Sequence, residues 1–311
     1  MSEPLKKRPL AIKLFQFQGH QDSIYHLVSA EDGKSFFSAG GDGMIVRWSL
    51  DEPDQGKLVA KVEGSVYAMC FDPKSGTLLI GQNNEGIHAV DVERKERIRS
   101  IGLGPTALFS ILKVEDHIYV GSGEGDLIKL AYSNFSILGR IKFSSKSLRT
   151  IAREPKSGNL ALGFSDQRIR YVDPGTMEVI HEWEAHRHSV FTLAFSPDGE
   201  HLVSGSRDAR ICRWRTGGNF EPTGTVAAHL FAINHISFSP DGEHFLTCSM
   251  DKTIKIWSTA DLSLLRVLDK ARHAGHGNSV NRLLWLNDDT FVSVGDDRIV
   301  SVWKFDRNPT H

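Results

Sequence analysis

Four sets of residues with chemically reactive side chains recur along the 311-residue chain at nearly constant spacing. Each set has a histidine, a serine or threonine 17 or 18 positions later, an aspartate four positions after that and a tryptophan six positions further on. Imidazole, hydroxyl and carboxylate groups together can activate a nucleophile, as they do in serine hydrolases. The sets are His20, Ser38, Asp42 and Trp48; His186, Ser204, Asp208 and Trp214; His229, Thr247, Asp251 and Trp257; and His276, Ser293, Asp297 and Trp303.

The fourfold recurrence argues against catalysis by these residues. A catalytic centre brings one nucleophile and one base together at one place, whereas four equivalent copies indicate a repeated structural role. The pairs His186 and His188, or His273 and His276, could suggest a metal site, but no cysteine or third ligand stands at a usual spacing. The sequence therefore predicts no catalytic residue, no metal and no cofactor.

The spacing of the tryptophans defines a repeat of about 40 residues that runs through the chain. The tryptophan position recurs seven times at intervals of 40 to 46 residues, although three of the repeats carry an aliphatic residue there. Such a period indicates a fold built from similar units that stack on one another. The seven positions are Trp48, Val90, Leu130, Val172, Trp214, Trp257 and Trp303.

Three short motifs within the repeats resemble the WD-repeat family of β-propellers. They are a Gly-His or Ala-His pair, as at Ala185-His186, a Ser-Pro-Asp-Gly turn, as at 196–199, and an aspartate six residues before a tryptophan. The aspartate that usually follows the tryptophan is absent, since Ser49, Arg215, Ser258 and Lys304 stand there. The resemblance covers essentially the whole chain. It implies an all-β fold in which residues 1–311 form a single seven-bladed β-propeller of four-stranded antiparallel blades.

The resemblance also gives the recurring residues a role. In this family the tryptophan, hydroxyl, histidine and aspartate of a blade form a buried chain of hydrogen bonds, and leaving such a group unpaired costs about 1–3 kcal/mol. Blades 2 to 4 lack the set, and we predict apolar side chains in its place. The polar residues at their aspartate positions are expected to lie in surface turns without buried partners. Their histidine positions are Val62, Gly104 and Ser144, their hydroxyl positions Ile80, Val120 and Leu162, and their aspartate positions Asn84, Glu124 and Asp166.

The two ends of the chain are predicted to close the ring together. The chain ends eight residues after Trp303, so the last blade lacks its outer strand. Residues 11–18 show the alternation of a strand but belong to no blade of their own. We expect them to supply the missing strand and to remove two open sheet edges.

Composition limits the classes of partner and compartment. The net charge is −1, so the chain offers no broad basic surface for nucleic acid. Three cysteines at unrelated spacings, Cys70, Cys212 and Cys248, favour buried free thiols and a reducing compartment. The chain shows neither a secretory signal nor a membrane-spanning run. We expect a cytoplasmic protein, monomeric by itself, with no membrane association.

The resemblance implies that partners bind on the face that carries the loops from outer to inner strands. In each of the seven repeats, the residues three and five positions after the histidine position, and the residue before the aspartate position, lie on this face. Aromatic and arginine side chains dominate binding hot spots, and Arg149 and Arg207 favour an acidic or phosphorylated segment. The candidates are Tyr25, Tyr67, Phe109, Arg149, Phe191, Arg207, Asn234, Met250, Asn281 and Asp296.

The predicted function is a non-enzymatic scaffold that binds a protein or peptide partner on the rim of this face. Three alternatives stay open at this point. The candidate rings could instead pack inward against the channel wall, the channel mouth could bind a small ligand or carry an enzyme site, and the longer basic loop at 269–277 could be the working surface.

Overall fold

A computed structural model of the chain describes residues 10–53 and 55–307 and shows an all-β structure. The described residues form seven four-stranded antiparallel sheets, with one short helix. The seven-bladed β-propeller predicted from the repeats is therefore confirmed. Residues 1–9, 54 and 308–311, which the sequence assigns to the same domain, lie outside the described residues.

The strands follow the repeats in chain order, and each blade begins at its inner strand. After β1 (Leu10–Phe17), blade 1 contains β2 (Ile24–Ser29), β3 (Ser35–Gly40), β4 (Met44–Ser49) and β5 (Lys57–Lys61). Blade 2 contains β6 (Val66–Asp72), β7 (Thr77–Gln82), β8 (Gly86–Asp91) and β9 (Glu96–Gly102). Blade 3 contains β10 (Leu108–Val114), β11 (His117–Ser122), β12 (Asp126–Ala131) and β13 (Ile137–Lys142).

The remaining blades continue the same order. Blade 4 contains β14 (Leu148–Arg153), β15 (Leu160–Phe164), β16 (Arg168–Val172) and β17 (Val179–Glu184), and blade 5 contains β18 (Val190–Phe195), β19 (His201–Ser206), β20 (Arg210–Arg215) and β21 (Pro222–Ala227). Blade 6 contains β22 (Ile233–Phe238), β23 (His244–Ser249), β24 (Ile254–Ser258) and β25 (Leu264–Leu268). Helix α1 (Lys270–His273) precedes blade 7, which contains β26 (Val280–Asn287), β27 (Thr290–Gly295) and β28 (Val300–Asp306).

The inner strands form a closed ring around a central channel. Each inner strand contacts the inner strand of the next blade, and β26 of blade 7 contacts β2 of blade 1. Buried apolar clusters fill the interfaces between successive blades, such as Leu79, Ile118 and Val120 between blades 2 and 3. Both faces of most second and third strands are therefore covered, which explains their nearly continuous apolar sequences.

The seam of the ring is made by strands from both ends of the chain. Strand β1 lies at the outer edge of blade 7 and pairs antiparallel with β28, from Leu10 opposite Asp306 to Phe17 opposite Val300. Phe17 is almost fully buried and stacks on Trp48 of blade 1, with 5.2 Å between the ring centroids. The N-terminal strand thus completes blade 7 and packs against blade 1.

The segment between β25 and β26 contains helix α1, and Asp269 caps this helix by accepting a hydrogen bond from the Arg272 backbone N–H at 2.8 Å.

No helix in the described residues is long and apolar enough to cross a membrane. All three cysteines are free; Cys212 and Cys248 are buried, and Cys70 is half-buried.

We predict that removal of residues 1–18 lowers the melting temperature and causes aggregation, because it exposes the edge of β28 and one face of Trp48. Thermal unfolding followed by circular dichroism measures the effect. Removal of residues 1–9 alone keeps β1 and serves as the control. An unchanged melting temperature for the longer deletion would show that β1 does not close the ring.

Candidate functional site

The mouth of the central channel is lined by the second residue of every inner strand. In each of these strands the pairing register shifts between the first and third residues, for example between Ile24 and His26 in β2, so the second residue is a β-bulge. Bulges redirect side chains out of the regular pleat. The residues of this mouth ring are Tyr25, Tyr67, Phe109, Arg149, Phe191, Asn234 and Asn281.

One sector of the mouth ring is a continuous stack of aromatic and cationic side chains. The ring centroids of Tyr25 and Tyr67 lie 4.8 Å apart, and those of Tyr67 and Phe109 lie 5.7 Å apart. The Arg149 guanidinium lies between two rings, 3.9 Å from the centroid of Phe109 and 4.8 Å from that of Phe191. These side chains are half-buried, so they pack on one another and still line the opening.

The other sector of the mouth ring is held by hydrogen bonds. Asn234 Nδ2 donates to the backbone carbonyl of Val280 in the next blade at 2.8 Å. Asn281 Nδ2 donates to the Asp296 carboxylate at 2.7 Å and to the backbone carbonyl of Ile24 at 3.0 Å. Stacking on one side and hydrogen bonds on the other therefore fix the shape of the mouth before any partner binds.

The mouth ring encloses a cavity of about 510 Å³, which Ala107 and Arg282 also line. Arg282 is the third residue of β26 and follows the bulged Asn281. Burial lowers the pKa of Arg282 to about 10, so its guanidinium remains charged at neutral pH. Burial also lowers the pKa of Arg149. The cavity is therefore lined by two cations, one of which sequence reasoning missed because it lies one position beyond the candidate site.

Seven of the ten predicted face residues come together in the mouth ring, and the other three lie outside the cavity lining. Asp296 is tied to the ring through its hydrogen bond from Asn281. Arg207 and Met250 are exposed, and each precedes the aspartate of a buried network. These two residues are therefore available on the rim rather than at the mouth.

The rim of blade 6 carries an exposed apolar patch, of which Met250 was predicted from the sequence but Leu230 and Phe231 were not. Leu230 is 83% exposed, Phe231 is 60% exposed and Met250 is 53% exposed. The Met250 N–H donates to the Ala232 carbonyl at 3.1 Å, which holds the two segments side by side. The sequence does contain a sign of this patch. The network histidine of blade 6 is followed by the apolar pair Leu230-Phe231, whereas the other three network histidines are followed by Gln21-Asp22, Arg187-His188 and Gly277-Asn278.

The four networks are hydrogen-bonded in one order, illustrated by blade 5. The Trp214 indole N–H donates to Ser204 Oγ at 2.9 Å, Ser204 Oγ is hydrogen-bonded to His186 Nε2 at 2.8 Å, and His186 Nδ1 is hydrogen-bonded to the Asp208 carboxylate at 3.2 Å. Blades 1, 6 and 7 repeat this order. The hydroxyl-bearing residues of all four networks are 0% exposed, so no substrate can reach them.

The aspartate of each network also holds a loop on the face that carries the mouth ring. It accepts a hydrogen bond from the backbone N–H of the residue after the histidine: Asp208 from Arg187 at 3.0 Å and Asp251 from Leu230 at 3.1 Å. Asp42 and Asp297 do the same in blades 1 and 7. The buried networks thus position the loops of the face.

The prediction that blades 2 to 4 hold only hydrocarbon at their centres is wrong in part. The substituted positions, such as Ile80 and Val90, are buried and apolar as expected. Blade 2 nevertheless buries His88, whose Nε2–H donates to Gln82 Oε1 at 2.9 Å while Nδ1 accepts from the Ser100 hydroxyl at 2.8 Å. A different polar chain therefore replaces the lost network.

Blades 3 and 4 contain ion pairs instead, each with one buried partner. In blade 3 the Arg140 guanidinium lies 2.6 Å from the buried Asp126 carboxylate. In blade 4 the buried Arg170 lies 2.9 Å from Asp166 and 3.2 Å from Glu182, so Asp166 has a buried partner that the sequence did not indicate. These groups sit on different strands, and they meet only because of the strand register.

The candidate metal ligands are engaged elsewhere or lie at the surface. Both ring nitrogens of His276 are hydrogen-bonded, to Ser293 and to Asp297, so neither is free to bind an ion. Among the described residues one group of possible ligands comes together: Asp241, Glu243 and His244, on an exposed turn. Asp241 already pairs with Arg307 and accepts from Ser239, so this cluster indicates a surface turn rather than a metal site.

We predict that Ser204→Ala lowers the free energy of unfolding by about 1–3 kcal/mol, because it leaves the Trp214 indole and the His186 imidazole without their shared partner. Ser204→Thr is the matched control, since Thr247 fills the equivalent position in blade 6. It should be tolerated. Urea denaturation measures both variants, and equal stability of the alanine variant and the wild type would contradict the role of the network.

Acid should weaken blade 5 through Asp208. Burial would raise the pKa of this carboxyl, but hydrogen bonds from His186 and from the backbone N–H of Arg187 hold it at about 2. In the unfolded chain the pKa is about 4. The resulting stability is therefore fully present above about pH 4 and is lost as the pH falls through about 2.

We predict that Asp208→Asn lowers the melting temperature at pH 7 and flattens its decline between pH 4 and pH 2. Thermal unfolding at a series of pH values measures the slope. The exposed Asp116 provides the control variant, Asp116→Asn, which should keep the wild-type slope. A wild-type slope in Asp208→Asn would rule out this carboxylate as the source of the pH dependence.

Comparisons with known proteins agree with this geometry. The family model described as "WD domain, G-beta repeat" matches residues 12–49, 177–215, 220–258 and 265–304, which together make up half of the chain. A solved structure, the WD40 β-propeller domain of Doa1, superposes with a TM-score of 0.82 at 19% identity and covers 94% of this chain and 97% of that chain. At this identity the likeness shows a shared fold.

Curated relatives are longer than this chain. Striatin from Mus musculus is 21% identical over 229 residues, which cover 65% of this chain and 29% of striatin. Actin-interacting protein 1 from Caenorhabditis elegans is 23% identical over 299 residues, which cover 92% of this chain and 47% of that protein. With the matched repeats, the seven blades and the four buried networks, the chain belongs to the WD-repeat family of β-propeller proteins.

Proposed function

We propose that this protein is a non-enzymatic scaffold that binds a protein partner on the face carrying the mouth ring and the apolar patch. The observation that carries the proposal is the patch itself. Leu230, Phe231 and Met250 expose their large apolar side chains together on one blade. Contiguous exposed apolar groups on a folded protein mark interaction surfaces, whereas scattered single ones do not.

The patch is presented by a rigid support. The Leu230 N–H is bonded to Asp251, and the Phe231 carbonyl accepts from the Ser249 hydroxyl at 3.1 Å. A loop fixed at both of these points loses little conformational freedom when a partner binds. The apolar side chains are therefore preorganised for contact.

The mouth ring extends the same surface towards the channel. Its tyrosine, phenylalanine and arginine members belong to residue types that are enriched at binding hot spots. The face therefore combines an exposed apolar rim with a stacked, half-buried centre. Both features suit a protein segment that crosses from the rim of blade 6 to the channel mouth.

A scaffold role also fits the chemistry of the site and the relatives. The Ser, His and Asp groups that could resemble a hydrolytic centre are structural, because their hydroxyls are buried. The relatives include a protein whose name describes an interaction with actin. A partner of this chain is not implied by that name, and the binding surface defined here stands on its own residues.

Site-specific photo-crosslinking in the native host tests the proposal. We predict that a benzoylphenylalanine placed at Met250 captures a discrete partner, and that Leu230→Ser with Phe231→Ser abolishes capture without changing the melting temperature, because these side chains are exposed. The same crosslinker at the exposed Lys74, on the turn between β6 and β7 at the opposite face, is the control. Identical products from Met250 and Lys74, or capture that survives the double serine variant, would refute the proposed surface.

A further inference from the structure

Two arginines line the channel-mouth cavity without a carboxylate to balance their charge. Among residues 10–53 and 55–307, neither Arg149 nor Arg282 has an ion pair or a side-chain hydrogen bond, and both belong to the cavity lining. The buried Arg170 of blade 4, by contrast, pairs with Asp166 at 2.9 Å and with Glu182 at 3.2 Å. The two cavity arginines therefore differ from this structural arginine.

The groups next to Arg282 supply no negative charge. The buried His26 and the half-buried His235 are near it, and desolvation together with the Arg282 charge keeps the pKa values of both imidazoles well below the usual range. Burial raises the pKa of the nearby Cys248 thiol, which stays protonated. The carboxylate tied to the ring, Asp296, is not among the residues that line the cavity. The lining therefore carries two positive charges and no compensating negative one.

The neutral histidines add hydrogen-bonding capacity near this charge. His235 Nδ1 accepts from the Leu283 backbone N–H at 3.3 Å, so its Nε2 carries the proton and can donate. His26 Nδ1 is buried and has no partner within the described part of the chain. Polar groups left unpaired in a closed interior are unfavourable.

We propose that the channel mouth binds the phosphoryl group of a phosphorylated protein segment between Arg149 and Arg282. A phosphoryl monoester carries about −1.5 to −2 charges at pH 7 and three acceptor oxygens, which matches two guanidinium cations. A carboxylate would neutralise one of them. The site deepens the proposed scaffold function, on which it rests, by naming the chemistry of the segment that enters the mouth.

The stacked arrangement of Arg149 prepares it for this role. Phe109 and Phe191 cover the two sides of its guanidinium, at 3.9 and 4.8 Å from their ring centroids. The N–H groups at the edge of the guanidinium plane remain free to donate. A guanidinium that is already held in place loses less conformational entropy when it binds an oxyanion through two hydrogen bonds. The cavity of about 510 Å³ also leaves room for the side chain that carries the phosphoryl group.

Isothermal titration calorimetry at constant ionic strength tests the site with N-acetyl-O-phosphoserine amide as the probe. We expect wild type to bind this probe, and Arg149→Gln and Arg282→Gln each to weaken binding at least tenfold. Arg207→Gln is the matched control, because Arg207 is exposed on the same face but lies outside the cavity lining. The N-acetyl amides of serine and glutamate separate phosphoryl binding from general or carboxylate binding.

The melting temperature provides a second, independent readout. Loss of the unpaired Arg282 cation should leave Arg282→Gln as stable as wild type or more stable, whereas Arg149→Gln also loses its contacts with two rings and should melt slightly lower. The phosphoserine probe should raise the melting temperature of wild type and of Arg207→Gln but not of the two cavity variants. If Arg282→Gln does not fold, the affinities of Arg149→Gln and Arg207→Gln for the phosphoserine probe decide whether the phosphoryl site exists.

Three results would overturn the phosphoryl site: no binding by wild type, wild-type affinity in the cavity variants, or tighter binding of the glutamate probe than of the phosphoserine probe. None of these results affects crosslinking at Met250. Failure of the anion site is therefore distinguishable from failure of the scaffold proposal.

Discussion

Each network aspartate accepts two hydrogen bonds, and together they connect the interior of a blade to the face that carries the mouth ring. One bond comes from the buried histidine, and the other comes from the backbone N–H of the residue that follows this histidine. In blade 6 these bonds converge on Asp251, and the loop that they hold presents Leu230 and Phe231. The same groups therefore satisfy the interior and fix the position of the apolar patch.

The blades without this network stabilise the mouth by a different interaction. Tyr67, Phe109 and Arg149 belong to blades 2, 3 and 4, and their side chains stack around the opening. Stacking of aromatic rings and guanidinium groups contributes about 0.5–2 kcal/mol for each contact. Contacts between neighbouring side chains of the mouth ring therefore fix the mouth at blades 2 to 4, whereas the buried networks fix the loops of the other blades.

The sequence predicts the repeated parts of this molecule and misses what depends on register. Recurring motifs defined the number of blades, the four networks and the positions around the mouth. The bulge that turns Asn281 into the channel arises from hydrogen-bond pairing between strands, which has no sequence signature of its own. Arg282 and the His88 chain were missed for that reason. Leu230 could have been recognised, because an apolar residue follows the network histidine only in that repeat.

Two features of the face weaken the isolated protein, and both are understandable if a partner covers them. Leu230 and Phe231 expose apolar surface to water, and burial of this surface by a partner would contribute about 25 cal/mol of favourable free energy for each Å². Arg282 is desolvated by burial without gaining an ion pair, and Arg149 has its ring contacts but no ion pair. Functional sites commonly retain such unfavourable groups at the expense of stability. Because these groups lie on one face of the ring, the rim of blade 6 and the channel mouth can be parts of the same proposed binding surface.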